Sequence, residues 1–239
     1  MEQARILENY LEIKRRIAIA AESIGRDPAA IKVVVVTKGH PPEAVQEAFA
    51  AGARIFGENY VEEGVVKIQA LQLTGVDWHM LGHVQSRKAR QVCQYYDTLH
   101  SLDSEKLARR LNGFCAEIDR LLPVFLECNV SGEASKFGLP AWDEQDWASL
   151  IPIIRSITGC SKLHVRGLMT MAPYSLDPED SRPHFRRLRK FSQFLGRSIP
   201  DARFDELSMG MSGDYETAIT EGATIVRIGT AILGSRPNI

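Results

Sequence analysis

The chain is short of most features that mark a specialised class. Its four cysteines, Cys93, Cys115, Cys128 and Cys160, are scattered along 239 residues. They lack the close pairs that zinc sites and small disulfide frameworks use, so they read as reduced thiols with no assigned task. Histidine is sparse too, and His79 and His83 are four residues apart with Gly82 and a strand-like context between them. That context does not suit a helical His-Glu-x-x-His arrangement, and no metal site is expected. No apolar run approaches bilayer length, and Met1-Glu2-Gln3-Ala4-Arg5 opens a charged amphipathic segment in place of an apolar signal core. A cytoplasmic protein with no membrane partner is expected. An excess of either charge is missing as well: the net charge of -1 gives no general attraction to nucleic acid.

What is present is an ordinary globular composition, 44% hydrophobic and 25% charged, with no low-complexity linker. Apolar positions Ile6, Leu7, Tyr10, Leu11, Ile13, Ile17 and Ile24 predict an amphipathic helix from Glu2 to Ile24, ended by Gly25 and Pro28. Then a unit recurs. The β-branched run Val33 to Val36 precedes a helix over Glu43 to Ala51, and Arg54 to Gly57 precedes one over Val61 to Leu73. Val76 to Gly82 leads to Ser86 to Cys93, Asp97 to Ser101 to Ser104 through Ile118, and Leu122 to Asn129 to Glu144 through Ile157. His164 to Met169 leads to Pro183 through Leu195, Phe204 to Ser208 to Tyr215 through Glu221, and Thr224 to Gly229 to a last short turn. Eight strand-helix units predict an α/β fold, a single-domain (β/α)8 TIM barrel over residues 1–239 with an extra N-terminal helix. A doubly wound open sheet is the competing architecture.

A lysine just past a strand is ordinarily a solvated loop residue. In a barrel the carboxyl ends of the strands converge on one mouth, so Lys38, at the end of the valine strand, gains neighbours. Asn59 and Tyr60 follow the second strand, His83 and Gln85 the third, Ser101 the fourth, Asn129 and Ser131 the fifth, Met169 and Thr170 the sixth. Each alone reads as a cap or loop residue, and their shared location lifts them. Ser208-Met209-Gly210-Met211-Ser212-Gly213-Asp214 and Arg227-Ile228-Gly229-Thr230 end strands seven and eight, where barrels commonly bind phosphate. Glycine admits oxygens to backbone N–H groups, the hydroxyls donate, and a helix starting near Ser212 adds its positive end. The basic run Arg186-Arg187-Leu188-Arg189-Lys190 reads as a solvated helix face. An amine beside a phosphate site suggests a Schiff-base lysine holding a phosphorylated aldehyde, with pyridoxal 5'-phosphate the leading candidate.

Several blocks carry a resemblance to a known family: Thr37-Lys38, Phe56-Gly57-Glu58-Asn59-Tyr60, Trp78 to Gln85, Ser131-Gly132-Glu133-x-Ser135-Lys136-x-Gly138, Gly167 to Met171, and Glu206 to Ser212. Together they resemble the pyridoxal phosphate homeostasis protein family nearly end to end. The resemblance implies a barrel similar to the N-terminal domain of alanine racemase, with the cofactor held as an internal aldimine on Lys38. It implies Ser212, Gly229 and Thr230 at the phosphate, and Arg227 beside the pyridine nitrogen or the phosphate. With the strand-end neighbours, the expected cofactor-binding set is Lys38, Asn59, His83, Met169, Ser208, Ser212, Arg227, Gly229 and Thr230. The implied role is balance of intracellular vitamin B6 and amino-acid pools, in a monomer with no established turnover. Racemases of this fold add a β-rich second domain, whereas Ile239 follows soon after the eighth strand, so a non-catalytic role is expected. The alternative is a pyridoxal phosphate-dependent racemase or lyase of a small amino acid, with His83 or Tyr60 as its acid-base partner. A Schiff-base aldolase acting on a phosphorylated sugar stands third.

Overall fold

A run of four valines exposes branched apolar surface on both faces, and burial of both faces is characteristic of a strand inside a parallel sheet. In the computed structural model, which describes residues 2–236, Val33, Val34 and Val35 are buried, while Lys32 at the start of the strand is exposed.

In chain order the elements are α1 (Glu2–Glu22), β1 (Lys32–Val36), α2 (Pro42–Ala50), β2 (Ile55–Glu58), α3 (Val61–Leu71), β3 (Asp77–Met80), α4 (Ala89–Tyr95), β4 (Thr98–Leu102) and α5 (Glu105–Glu117). They continue with β5 (Leu122–Asn129), β6 (Leu139–Pro140), α6 (Trp147–Thr158), β7 (Leu163–Met169), α7 (Arg182–Ser198), β8 (Glu206–Ser208), α8 (Tyr215–Thr220), β9 (Ile225–Ile228) and α9 (Thr230–Leu233). Eight strands pair in parallel in the order β1-β2-β3-β4-β5-β7-β8-β9, and β9 returns to β1, so the sheet is closed. This is the eight-unit barrel that the pattern predicts. The N-terminal helix packs against α2, α8 and α9. It covers the part of the outer ring where α9 is only four residues long.

Four local differences have physical causes. The helices expected from Ser86 and Glu144 open as 3-10 turns, Ser86–Lys88 and Glu144–Asp146, before α4 and α6 begin at Ala89 and Trp147. The short β6 lies in the β5–α6 connection and pairs with the end of β5, Cys128 opposite Leu139; two residues leave no alternation to read. The N-terminal helix stops at Glu22 because Gly25, at φ +69, turns the chain under it. The helix expected near Ser212 starts at Tyr215, because the Asp214 carboxylate accepts the Met211 N–H at 2.6 Å and holds residues 211–214 as a turn.

Alternation along the strands divides the apolar residues into two cores. Val33 and Val35 join the large layer between barrel and helices. Val34 faces inward with Leu81, Phe125, Met169 and Ile225. Arg227 pairs in register with Val34, and Glu127 with Met169, so these two charged residues also belong to the interior. Space there is tight: a Cβ on Gly57 would stand 2.5 Å from Leu81 Cδ1 and 2.7 Å from Val34 Cγ1. Gly57→Ala is therefore expected to overpack the barrel and cost ~1–3 kcal/mol in a denaturant titration. Wild-type stability in that variant would show the interior to be slack.

Candidate functional site

The carboxyl ends of the strands surround a cavity of about 480 Å³. Of the nine residues expected at the site, seven line it: Lys38, Asn59, Met169, Ser212, Arg227, Gly229 and Thr230. Val36 and Leu81 add apolar wall. Ser208 is fully buried beneath the lining and accepts a hydrogen bond from Arg227 Nη1 at 2.7 Å. His83 stands apart, in a second depression with Ser104 and Phe137. Its Nδ1 is 2.9 Å from Asp103 Oδ2, and its ring stacks on Phe137 with centroids 4.0 Å apart. Tyr60 is exposed at the start of α3 and does not line the cavity.

Other strand-end polar residues hold local backbone. The Asn129 side chain accepts from the Ser131 and Gly132 N–H groups at 3.2 and 3.0 Å. Ser101 Oγ donates to the Gly82 carbonyl at 2.6 Å, and Thr170 Oγ1 to the Cys128 carbonyl at 2.7 Å. These bonds are the capping work that such residues do at loop starts.

Lys38 is half-buried at the cavity wall. Burial lowers its pKa, the positive charge of Arg236 lowers it further, and the negative charges of Glu58 and Glu63 oppose the shift. The direction favours the free amine, the nucleophilic form. In the same lining, Ser212 Oγ accepts from the Ala231 N–H at 3.3 Å, which ties the β8–α8 loop to the first turn of α9. Gly229 is the residue before that turn, and a Cβ there would meet the Val36 carbonyl oxygen at 3.1 Å. The crowding explains a glycine at this point, and the hydroxyls of Ser212 and Thr230 flank it in the lining.

Under the cavity runs a buried polar chain. Arg227 Nη2 donates to the Thr170 carbonyl at 2.8 Å, and its Nη1 donates to Ser208 Oγ. Ser208 Oγ is 2.8 Å from His100 Nδ1, and His100 Nε2 is 2.9 Å from His79 Nδ1. Burial pushes the His79 pKa down to about 3 and that of His100 well below the usual value. With both rings neutral, Ser208 Oγ accepts from Arg227 and donates to His100 Nδ1, and His100 Nε2–H donates to His79 Nδ1, so every link has one donor and one acceptor. Burial also brings Arg227 down to about 10, against the opposing charges of Asp214 and Glu127, so it stays cationic at neutral pH. Glu127 is pushed up to about 7 by burial, and its Oε2 has no hydrogen-bond partner among the described residues.

Sequence reasoning missed His40 and Arg236 in the lining and the His79–His100 pair beneath it, and gave Asp214, in its strand-seven segment, no role of its own. The pair was within reach: His79 and Leu81 share an inward face by the two-residue period. The basic run on α7 is only partly solvated. Arg186 and Arg189 join Arg182 around the buried Glu221 at 2.9, 3.2 and 3.0 Å, and Lys190 pairs with Glu144 at 3.0 Å. Among the described residues no helix is long and apolar enough to cross a membrane.

A lysine, an arginine and a glycine-hydroxyl cradle at the mouth of a closed parallel barrel define the alanine racemase type of barrel. The family model described as "Alanine racemase, N-terminal domain" matches residues 9–237. The chain is 38% identical over 235 residues to a pyridoxal phosphate homeostasis protein of Vibrio alginolyticus, covering 97% of each. It is 40% identical to the one of Pseudomonas aeruginosa, covering 97% of this chain and 96% of that one. The solved structure of PipY from Synechococcus elongatus with PLP bound is 36% identical and covers 91% of this chain and 100% of that one, with a TM-score of 0.78. An alanine racemase of Clostridium difficile, 14% identical, shares the fold at a TM-score of 0.73 over 98% of this chain and 58% of that one. The chain belongs to the pyridoxal phosphate homeostasis protein family.

The buried histidines make stability depend on acid. The folded pKa of His79, about 3, lies below its ordinary 6.5. The unfolded chain therefore takes up the proton first, and stability is complete above about pH 6.5 and lost as the pH falls toward about 3. Glu127 works the other way, because its raised pKa withdraws stability as the pH climbs from 4.5 to about 7. His79→Asn keeps an acceptor for His100 and removes one titration. In urea unfolding between pH 6.5 and 5 the variant should lose stability less steeply than wild type, by up to ~1.4 kcal/mol per pH unit. Identical slopes would show that His79 is not held neutral.

Proposed function

We propose that this protein is a single-domain barrel that binds pyridoxal 5'-phosphate at the cavity and holds it covalently and reversibly through Lys38, as a carrier or store of the cofactor. One observation carries the reading: Lys38, with its lowered pKa, opens into the same cavity as Ser212, Gly229 and Thr230. When bound, the cofactor supplies an aldehyde that condenses with a primary amine with loss of one water and no change of oxidation state. The residues fit that group. Lys38 supplies the amine. Ser212, Gly229 and Thr230 would hold the phosphate, Val36, Leu81 and Met169 the faces of the ring, and Asn59 its polar edge. Arg227 would present its charge to the pyridine nitrogen or the phosphate, at an orientation set by Ser208 and the Thr170 carbonyl.

Holding is favoured over turnover because His83 and Tyr60, the acid-base partners that the sequence offered, stand outside the lining. The names of the homeostasis relatives and the PLP bound in PipY support the same reading. A racemase or lyase is the second reading, and His40 favours it: this residue lines the same cavity, and burial lowers its pKa.

Purified protein mixed with pyridoxal 5'-phosphate should gain a visible absorbance band that borohydride abolishes, and Lys38→Ala should remove the band while the circular dichroism spectrum stays the same. A wild type that stays colourless with added cofactor would sink the reading. Deuterium uptake from solvent at the α-carbon of amino acids, absent in Lys38→Ala, would favour the second.

A further inference from the structure

The backbone on either side of Lys38 is gripped from outside the barrel by α3. Lys67 Nζ donates to the Thr37 carbonyl at 2.7 Å, and the Gly39 N–H donates to Glu63 Oε1 at 2.6 Å. Lys67 also reaches Glu58 Oε1 at 2.8 Å and Glu63 Oε1 at 2.7 Å, so its three protons are all engaged. Thr37 Oγ1 donates to the same Glu58 oxygen at 2.5 Å. One ammonium thus holds both peptide groups that flank Lys38, the first directly through its oxygen and the second through Glu63 on its N–H.

Lys67 is 3% exposed and Glu58 is fully buried. Burying such a pair costs desolvation on both partners, and well-packed apolar residues commonly do as well or better for stability. Burial also raises the Glu58 pKa, with Lys67 opposing. Stability alone therefore does not account for this cluster, whose hydrogen bonds converge on the backbone of one residue. Among the described residues, Lys38 is the only lysine in the cavity lining.

The geometry points to Lys67 as a positioning residue: with Glu58 and Glu63 it fixes the peptide planes around Lys38 and so aims the Lys38 amine at an aldehyde held in the cavity. The inference rests on the cofactor reading above. Misplacing a reacting group by about 1 Å can cost as much as ~100-fold, whereas binding that needs no reaction at the amine is indifferent to it.

The test separates these two quantities. Pyridoxine 5'-phosphate has the ring and phosphate of the cofactor but no aldehyde, so its affinity, read by calorimetry, reports the cavity alone. Titration of the visible band with pyridoxal 5'-phosphate reports the amine. Two variants are compared, Glu63→Met, at a partly exposed position, and the double variant Glu58→Gln with Lys67→Met, which removes both buried charges together. In each, the aldehyde cofactor should bind ~10–100-fold more weakly while the analogue stays within ~2-fold of wild type. Equal losses for the two ligands, or no loss for either, would overturn the assignment. If the double variant does not fold, Glu63→Met decides. Wild type is the control: if it forms no visible band, the cofactor reading itself has failed, independently of Lys67.

Discussion

Closing eight parallel strands into a barrel removes every sheet edge and creates an interior that side chains have to fill. In this chain the filling changes character along the strands. Val34, Phe125 and Ile225 give an apolar layer. Charged and hydroxyl groups join it, and Arg227, Ser208 and the two histidines find partners inside the barrel because an unpaired buried polar group is costly. Above that layer the strand ends diverge into loops and the packing stops, which leaves the cavity. Its floor is therefore the top of the core, and the position of Arg227 follows from how that core is satisfied.

The strands and their number were legible because a buried parallel strand leaves a dense β-branched signal between glycines and prolines, as in Val33 to Val36. The convergence of strand ends gave most of the residues that line the cavity, since Lys38, Asn59, Met169 and Gly229 sit at or just beyond a strand terminus and Arg227 one residue before one. His83 shows the limit of that argument. It lies three residues past the end of β3, far enough for the loop to carry its ring outward onto Phe137 and Asp103. Ser208 is the opposite case, the last residue of β8 and still inside the layer. For His79 and His100 the two-residue period gives the inward face of each strand, while their pairing across β3 and β4 appears only in the closed barrel.

The charged residues of the site show that burial and pairing are used for different ends. Lys38 is half-buried and forms no salt bridge among the described residues, and the lowered pKa favours its free amine. Arg182, Arg186 and Arg189 share Glu221 on the outside of the barrel, and the consequence is only a fastened helix face.

The chain from Arg227 through Ser208 and His100 to His79 joins β9, β8, β4 and β3, and the His100–Ser208 link spans 108 residues of sequence. It crosses between the first four strands and the last four. Arg227 finds Ser208 and the Thr170 carbonyl within the last four strands and His79 finds His100 within the first four, so the His100–Ser208 bond is the link of this chain that crosses between the halves. Splitting the barrel there would leave the buried His100 Nδ1 without its hydroxyl partner, so this one bond couples the two halves at the centre of the barrel.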